Sequence, residues 1–367
     1  MAHSLAVRGW SVTVIDQACG AGAGASGLPA GLAAPHVSPD DNMLSRITRA
    51  GVQATLQRAQ TLLKSGTDWA LTGVLEHNMG GKRRLPQAAA AAAREPPSTT
   101  LASAAEVAAA GLPPGTPALW HAMAGWIRPR QLVAAQLQTP GIEVIWGQQA
   151  QRIERLGGLW TVKDAQDQCI AQTPLLVLAS AFDSLALLDG LPGVKLPLKP
   201  LRGQVSFGRM DALSDAQRQR LPPFPVNGHG SFISGVPMAE GLLGWFIGST
   251  FERDCTQALV RQEDHTANQV RLTTLLPDLG AAMHSQFGPD HVQGWAGLRC
   301  TLPDRLPAVG PLDSQGLPGL WLSTGMGARG ISLSVLCGEL VAAWLESEAL
   351  PLPPELTKHL AAKRFTK

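Results

Sequence analysis

Arg299 stands in the run Gly297-Leu298-Arg299-Cys300-Thr301-Leu302-Pro303-Asp304-Arg305-Leu306-Pro307-Ala308-Val309-Gly310. A guanidinium presents a planar fork of donors that matches a carboxylate at two points, which an ammonium does not. Further on, the apolar strand Leu320-Trp321-Leu322 runs into Gly325-Met326-Gly327-Ala328-Arg329-Gly330 and then an apolar helix expected over Ile331–Leu345. Such a turn offers backbone N–H groups and the positive end of a helix dipole, both suited to negative charge. Near the amino end, Val12, Val14 and Ile15 read as a short buried strand ending in Asp16. A carboxylate at that place fits the ribose of a dinucleotide. Each residue also has a plainer reading. Arg299 pairs with Asp304 or Glu339, Asp16 and Asp304 fix local turns, and Arg329 holds its own loop.

The elements that must position these residues follow from composition and period. Residues 2–9 read as the last turns of a helix closed by Gly9, leading into the Asp16 strand. Together they form the second half of a βαβ unit. Counting back about 20 residues from Asp16 places the G-x-G-x-x-G turn of such a unit before Met1. A Gly/Ala-rich loop spans Cys19 to Ala34, and Asp40-Asp41-Asn42 caps a long amphipathic helix carrying Leu44, Ile47, Ala50, Leu56 and Leu62-Leu63. Six alanines, Ala88 to Ala93, make a low-complexity patch. Gly125-Trp126-Ile127-Arg128-Pro129 is expected to open another helix with its proline near N1. Strands are expected at Ile142–Trp146, Leu159–Val162 and Leu175–Ala179, an antiparallel sheet from Leu201 to Thr250, and a helix around Gln257–Leu276.

The expected fold class is mixed α/β: a Rossmann-like domain built from discontinuous segments plus an antiparallel-sheet domain. Residues 1–75, 121–195 and 296–367 would form the first, and 76–120 with 196–295 the second.

Bulk properties exclude several classes. Hydrophobic residues make up 45% and charged residues 16%, which describes a globular chain with ample core. A net charge of +2 is too mild to mark a nucleic-acid binder by itself. The basic groups Lys82-Arg83-Arg84, Lys195/Lys199/Arg202 and the tail Lys363-Arg364 with Lys367 read first as solvated charge. The five cysteines show no C-x-x-C spacing, so neither a disulfide framework nor a metal site is expected. With no run of 18 apolar residues and no signal-peptide layout, a cytoplasmic protein without a membrane span is expected.

Several segments carry a resemblance. Ala25-Ser26-Gly27-Leu28-Pro29-Ala30-Gly31, Asp40-Asp41-Asn42-Met43-Leu44-Ser45-Arg46, Gly248-Ser249-Thr250-Phe251-Glu252-Arg253-Asp254-Cys255 and the Arg299–Gly310 block resemble the D-amino-acid oxidase and glycine oxidase superfamily. Within it, they resemble the FAD-dependent oxidase half of the bifunctional bacterial enzymes that make 5-methylaminomethyl-2-thiouridine in tRNA. The likeness spans nearly the whole chain and leaves no room for the methyltransferase half.

It implies FAD as cofactor, modified tRNA as substrate and a separate methyltransferase as a partner. The implied reaction oxidises the carboxymethylaminomethyl arm of the wobble uridine to an imine, which hydrolyses to glyoxylate and the aminomethyl base. Arg299 becomes the candidate catalytic residue, holding the substrate carboxylate. Asp16, Ala25, Ser26, Gly27, Gly31, Ala179, Gly325, Gly327, Ala328, Arg329 and Gly330 become the candidate FAD contacts. The basic groups become candidates for tRNA phosphates, and Trp126 or Trp245 for the substrate cleft.

One departure is that the chain has no tyrosine, although oxidases of free amino acids in this superfamily commonly clamp the carboxylate with one beside the arginine. The alternatives are a glycine- or sarcosine-type amine oxidase and a flavin-free, truncated RNA-binding relic. For the phosphate turn, the expectation is that roughly 15–20 residues are encoded upstream; a true truncation is the other reading.

Overall fold

A computed structural model describes residues 1–78, 99–191, 193–312 and 316–365. Lys82-Arg83-Arg84, the alanine run and Lys367 lie outside the described residues. The helix Ala2–Ala6 ends in a turn through Gly9 at φ +90°, a conformation glycine adopts without strain. The strand Val12–Asp16 follows and pairs in parallel with Ile142–Trp146, from Val12↔Ile142 to Asp16↔Trp146. It is half-buried rather than buried, because this sheet has two strands. A second parallel pair joins Leu176–Leu178 to Leu320–Thr324, with Ala308–Pro311 added antiparallel. Among the described residues no ladder links these two sheets. Ile15 nevertheless packs on the core formed by Leu178, Leu320 and Leu322. Gln17 Nε2 donates to Asp183 Oδ2 at 3.3 Å, which brings the carboxyl ends of the two sheets together.

Two helices cover these strands. Met43–Leu62 is capped by Asn42, whose side chain accepts from Ser45 N at 3.1 Å. It crosses Gly330–Glu346 so closely that a Cβ on Gly51 would collide with the carbonyl of Ser332. Together with the turn before it, as Gly327–Glu346, this helix is long and apolar enough to count as a membrane span by composition. Here its Leu333, Leu336, Leu340 and Val341 are fully buried with Ile47 and Val309, so it is a core helix.

The other large element is a nine-stranded sheet with Lys199–Arg209 inside it. Lys199–Arg209 pairs antiparallel with Gln293–Thr301 along one edge and with Leu243–Gly248 and Glu252–Arg253 along the other. The helix Gln262–Leu275 packs Leu272 and Leu275 against Phe232 and Trp245 of this sheet. It starts five residues later than expected. Arg261 is held extended because its backbone N donates to Gln204 Oε1 at 2.8 Å.

Two further expectations need correction. Gly125–Ile127 is a strand paired with Gly31–Ala33, and the helix begins only at Pro129. The residue before a proline is driven out of helical geometry, and a Cβ on Gly125 would meet the Ala70 carbonyl. Arg152–Leu156 and Cys169–Thr173, which flank Leu159–Lys163 as antiparallel strands, were not expected. Their mixed polar sequences show no clean alternation because both are largely exposed.

Candidate active site

Antiparallel register decides what Arg299 can reach. Directly opposite residues share a face of the sheet, and alternate residues along a strand do too. Leu201 is opposite both Arg299 and Arg253, Lys199 is opposite Thr301, and Gly203 is opposite Gly297. All of these, with Trp295, therefore lie on one face. Arg202, Gln204 and Ser206 lie on the other face, buried against the helix Gln262–Leu275. There Ser206 Oγ is 2.8 Å from His265 Nδ1, and Asn268 Nδ2 donates to Ser206 Oγ at 3.0 Å.

On the open face the Arg299 guanidinium lies across Gly203, where a Cβ would occupy the place of Nη1. Its Nη2 donates to Ser249 Oγ at 2.6 Å, and the Phe251 ring sits 4.9 Å from Cζ. Nη1 is buried and has no hydrogen-bond partner among the described residues. Burial lowers the guanidinium pKa to about 10, which leaves it cationic at neutral pH. Neither proposed internal partner is available. Asp304 accepts from Arg364 at 2.9 Å, and Glu339 accepts from Arg8 at 3.0 Å and Arg58 at 2.6 Å. A cation buried without a counter-charge is costly, and an anionic ligand would offset that cost.

The glycine-rich segments converge on the same region. Gly325 (φ +76°) and Gly327 (φ +56°) turn the chain from Leu320–Thr324 through the 3-10 turn Gly327–Arg329 into Gly330–Glu346. Cys300 Sγ lies 3.7 Å from Thr324 Oγ1, which donates to Ala181 O at 3.1 Å. The arginine strand, the Gly325 turn and the end of the Ala179 strand are thus tied together. The loop with Ala25, Ser26 and Gly27 runs between them. A Cβ on Gly27 would stand 3.3 Å from Trp295 Nε1, and one on Gly31 would stand 2.5 Å from Ile331 Cδ1. Arg130 steadies this loop by donating from Nε to Ala21 O at 3.1 Å. Gly24 borders open space, and a Cβ on Gly330 would stand 3.9 Å from Met326 Cβ. Asp16 is exposed at the carboxyl end of its strand, and its Oδ1 accepts from Ala18 N at 2.8 Å. Arg329 is half-buried at the start of the last helix, and Ala328 is exposed.

Some roles read from sequence fail. Arg202 is fully buried, donating from Nη1 to Asp264 at 2.7 Å and Glu252 at 3.3 Å, so it is no phosphate contact. Trp245 is fully buried in the second core and lines no cleft. Burial raises the Cys300 thiol pKa, so this cysteine is not a reactive thiolate. Among the described residues no group of His, Cys, Asp and Glu could hold a metal ion.

Other features were missed. Ser249, Phe251 and Gly203 complete the surroundings of Arg299 but lie far from it in sequence. Gly22-Ala23-Gly24-Ala25-Ser26-Gly27 also matches G-x-G-x-x-G literally. It follows a strand but opens a 3-10 turn and not a helix, so it lacks the context of a dinucleotide fingerprint. A surface cavity of about 430 Å³, lined by Thr250, Phe251, Glu252, Arg261, Glu263 and Asp264, does not include Arg299. Its Arg261–Asp264 wall belongs to the helix side of the sheet.

The sequence profile of the FAD dependent oxidoreductase family matches residues 1–344. The chain belongs to that family. Its curated relatives in the FAD-dependent oxidoreductase family include the tRNA 5-methylaminomethyl-2-thiouridine biosynthesis bifunctional protein MnmC of Polaromonas naphthalenivorans. That protein is 46% identical over 363 residues, which is 97% of this chain and 56% of the relative. The protein of the same name from Delftia acidovorans is 45% identical over 384 residues, 99% of this chain and 59% of the relative. The chain thus spans a little over half the length of these relatives. Among solved structures, L-proline dehydrogenase from P. horikoshii superposes with a TM-score of 0.73 at 18% identity, covering 99% of this chain and 93% of that one. Glycine oxidase from Geobacillus kaustophilus gives 0.70 at 18% identity, covering 95% and 91%. These two likenesses show the FAD-dependent oxidoreductase fold.

Proposed function

We propose that this chain is an FAD-dependent oxidase that removes the carboxymethyl group from 5-carboxymethylaminomethyl-(2-thio)uridine in tRNA. The products would be the 5-aminomethyl base and glyoxylate. The observation that carries the reading is Arg299: a buried guanidinium with Nη1 unpartnered, on the sheet face that meets the glycine-rich loop and the last helix. The relatives' shared name supplies the tRNA context. A tRNA substrate makes the cytoplasm the working compartment, and a methyltransferase activity is the partner that would act on the amine product.

The residues present fit FAD. Asp16 would meet the ribose, while Ala25, Ser26, Gly27, Gly31 and Ala179 would line the dinucleotide at the carboxyl ends of the parallel strands. Open space beside Gly24 leaves room for it. Gly325, Gly327, Ala328, Arg329 and Gly330 would aim the last helix's N-terminus at the flavin ring, where a positive dipole end favours the reduced, anionic form. Residues 1–75, 121–195 and 296–367 would make up this domain, and 76–120 with 196–295 the substrate domain.

When bound, FAD supplies the two-electron oxidation by accepting hydride from the substrate CH2. The protein's own contribution is positional. Arg299 binds the carboxylate in two-point contact through Nη1 and Nη2, with Ser249 fixing the plane of the fork. An amine that arrives neutral needs no protein base for hydride loss. Water then adds to the resulting C=N bond, which breaks to free glyoxylate.

The test is glyoxylate release from tRNA bearing the carboxymethylaminomethyl arm, set beside N-methylglycine, with FAD supplied to the purified protein. Turnover of the tRNA with little from N-methylglycine is expected. Efficient turnover of N-methylglycine alone would make it a small-molecule amine oxidase.

A further inference from the structure

Phe251 is 56% exposed, an unusual position for a large aromatic ring beside a buried cation. One side of the ring rests on the Arg299 guanidinium, 4.9 Å from its centroid. Across the same face of the sheet, Arg253 is opposite Leu201, which is opposite Arg299, and Lys199 is two residues before Leu201. Two strand spacings put Arg253 about 10 Å from Arg299. Both Lys199 and Arg253 are exposed. Of the nearby carboxylates, Glu252 and Asp264 are engaged by Arg202 and Arg261 towards the other face. Asp254, exposed beside Arg253 with its backbone N donating to Pro200 O at 3.2 Å, is the one acidic group at this rim among the described residues.

We infer that this rim is a nucleotide-binding surface, in which Phe251 is the stacking platform for the pyrimidine ring and Lys199 and Arg253 meet its flanking phosphates. The inference rests on the modified-uridine reading and deepens it. Exposed aromatic rings bind unpaired bases because every base has a π-face, and cations along the strand edge neutralise the backbone. The base and the Arg299 guanidinium would lie on opposite sides of the Phe251 ring, so the four-bond arm would pass the ring's edge to bring its carboxylate towards Arg299. This also accounts for phenylalanine and serine standing beside the arginine in a chain without tyrosine. Ser249 fixes the guanidinium, and the ring is left for the base.

The experiment is calorimetric titration of the FAD-supplemented protein with free 5-carboxymethylaminomethyluridine and, as the base-free control, N-methylglycine. Phe251→Ala is expected to weaken the nucleoside about tenfold or more and leave N-methylglycine unchanged, while Phe251→Trp keeps nucleoside affinity. With modified tRNA, Lys199→Ala and Arg253→Ala are each expected to lower the slope of log affinity against log salt by about 0.7, without altering nucleoside binding. If the wild type prefers the nucleoside but Phe251→Ala does not change that preference, this inference fails and the modified-uridine reading stands. Equal loss of both ligands in Phe251→Ala also overturns it, because the ring would then only support Arg299. A wild type that binds nucleoside no better than N-methylglycine sinks both.

Discussion

Two arginines in neighbouring strands show how far a residue's chemistry depends on its face of the sheet. Arg202 and Arg299 both interrupt apolar runs, and neither run says which way its arginine points. Register places them on opposite faces. Arg202 meets Asp264 and Glu252, whereas Arg299 meets a serine and an aromatic ring and leaves its buried Nη1 without a hydrogen-bond partner among the described residues. The cationic role of Arg299 was thus legible in the sequence, but its environment was not, because Ser249 lies about fifty positions away in the chain. Arg299→Lys keeps the charge and loses the fork. Losing one charge-assisted hydrogen bond of about 1.5–3 kcal/mol is expected to lower kcat/KM about 10- to 150-fold, mostly through KM. Arg299→Gln should lower it further; steady-state kinetics on modified tRNA measures both. The pKa of about 10 sets a pH limit too. Below it the guanidinium holds its proton and binds carboxylate; above it affinity falls as the cation is lost. Titrating the affinity of methoxyacetate, a carboxylate without an amine, between pH 8 and about 11 would show the fall, and Arg299→Gln would flatten it.

At the scale of elements, close approach matters more than propensity. The helix Met43–Leu62 was legible because Asn42 caps it and its apolar residues repeat at helical spacing. The reason for Gly51 was not legible, since only the crossing with Gly330–Glu346 shows that a Cβ there meets the Ser332 carbonyl. Gly51→Val is expected to cost about 2–4 kcal/mol, because the obstacle is backbone; urea unfolding measures it. Gly203→Ala also meets backbone, the Thr250 carbonyl at 2.6 Å, and displaces the Arg299 fork besides, so it should lower stability and raise KM together.

The first helix carries a pH-dependent contribution. Burial, and then the Arg58 charge, push the His3 pKa down to about 4, and its Nδ1 lies 2.6 Å from Thr139 Oγ1. The native state therefore favours neutral imidazole. Below the unfolded value of about 6.5 the unfolded chain takes up a proton that the native state refuses. Stability should fall as pH drops from about 6.5 towards 4 and level off below. His3→Gln should remove part of that slope in urea midpoints taken at pH 7, 5.5 and 4.

Across the whole molecule, the nine-stranded sheet has its own core around Phe232, Trp245 and Leu272, while the parallel strands share another around Leu320 and Leu322. The mixed α/β class was legible from the strand and helix periods. The division of the parallel strands into two sheets was not, because ladder partners are set by distant segments. Only side-chain packing such as Ile15, and polar ties such as Gln17 to Asp183, join those sheets among the described residues. FAD laid along their carboxyl ends would touch both sheets and the last helix at once, so binding should stabilise all three together. A ligand that binds only the native state contributes about 2.7 kcal/mol at a hundredfold excess over its Kd. Saturating FAD is accordingly expected to raise the melting temperature, and flavin absorbance should co-elute with the protein on gel filtration. Ala25→Glu, which places a carboxylate where the dinucleotide is proposed to lie, should abolish the shift while leaving the melting temperature without FAD nearly unchanged. If FAD neither shifts the melting temperature nor co-elutes, both with this chain and with one extended by the expected upstream G-x-G-x-x-G turn, these edges are not its site and the oxidase reading falls with them.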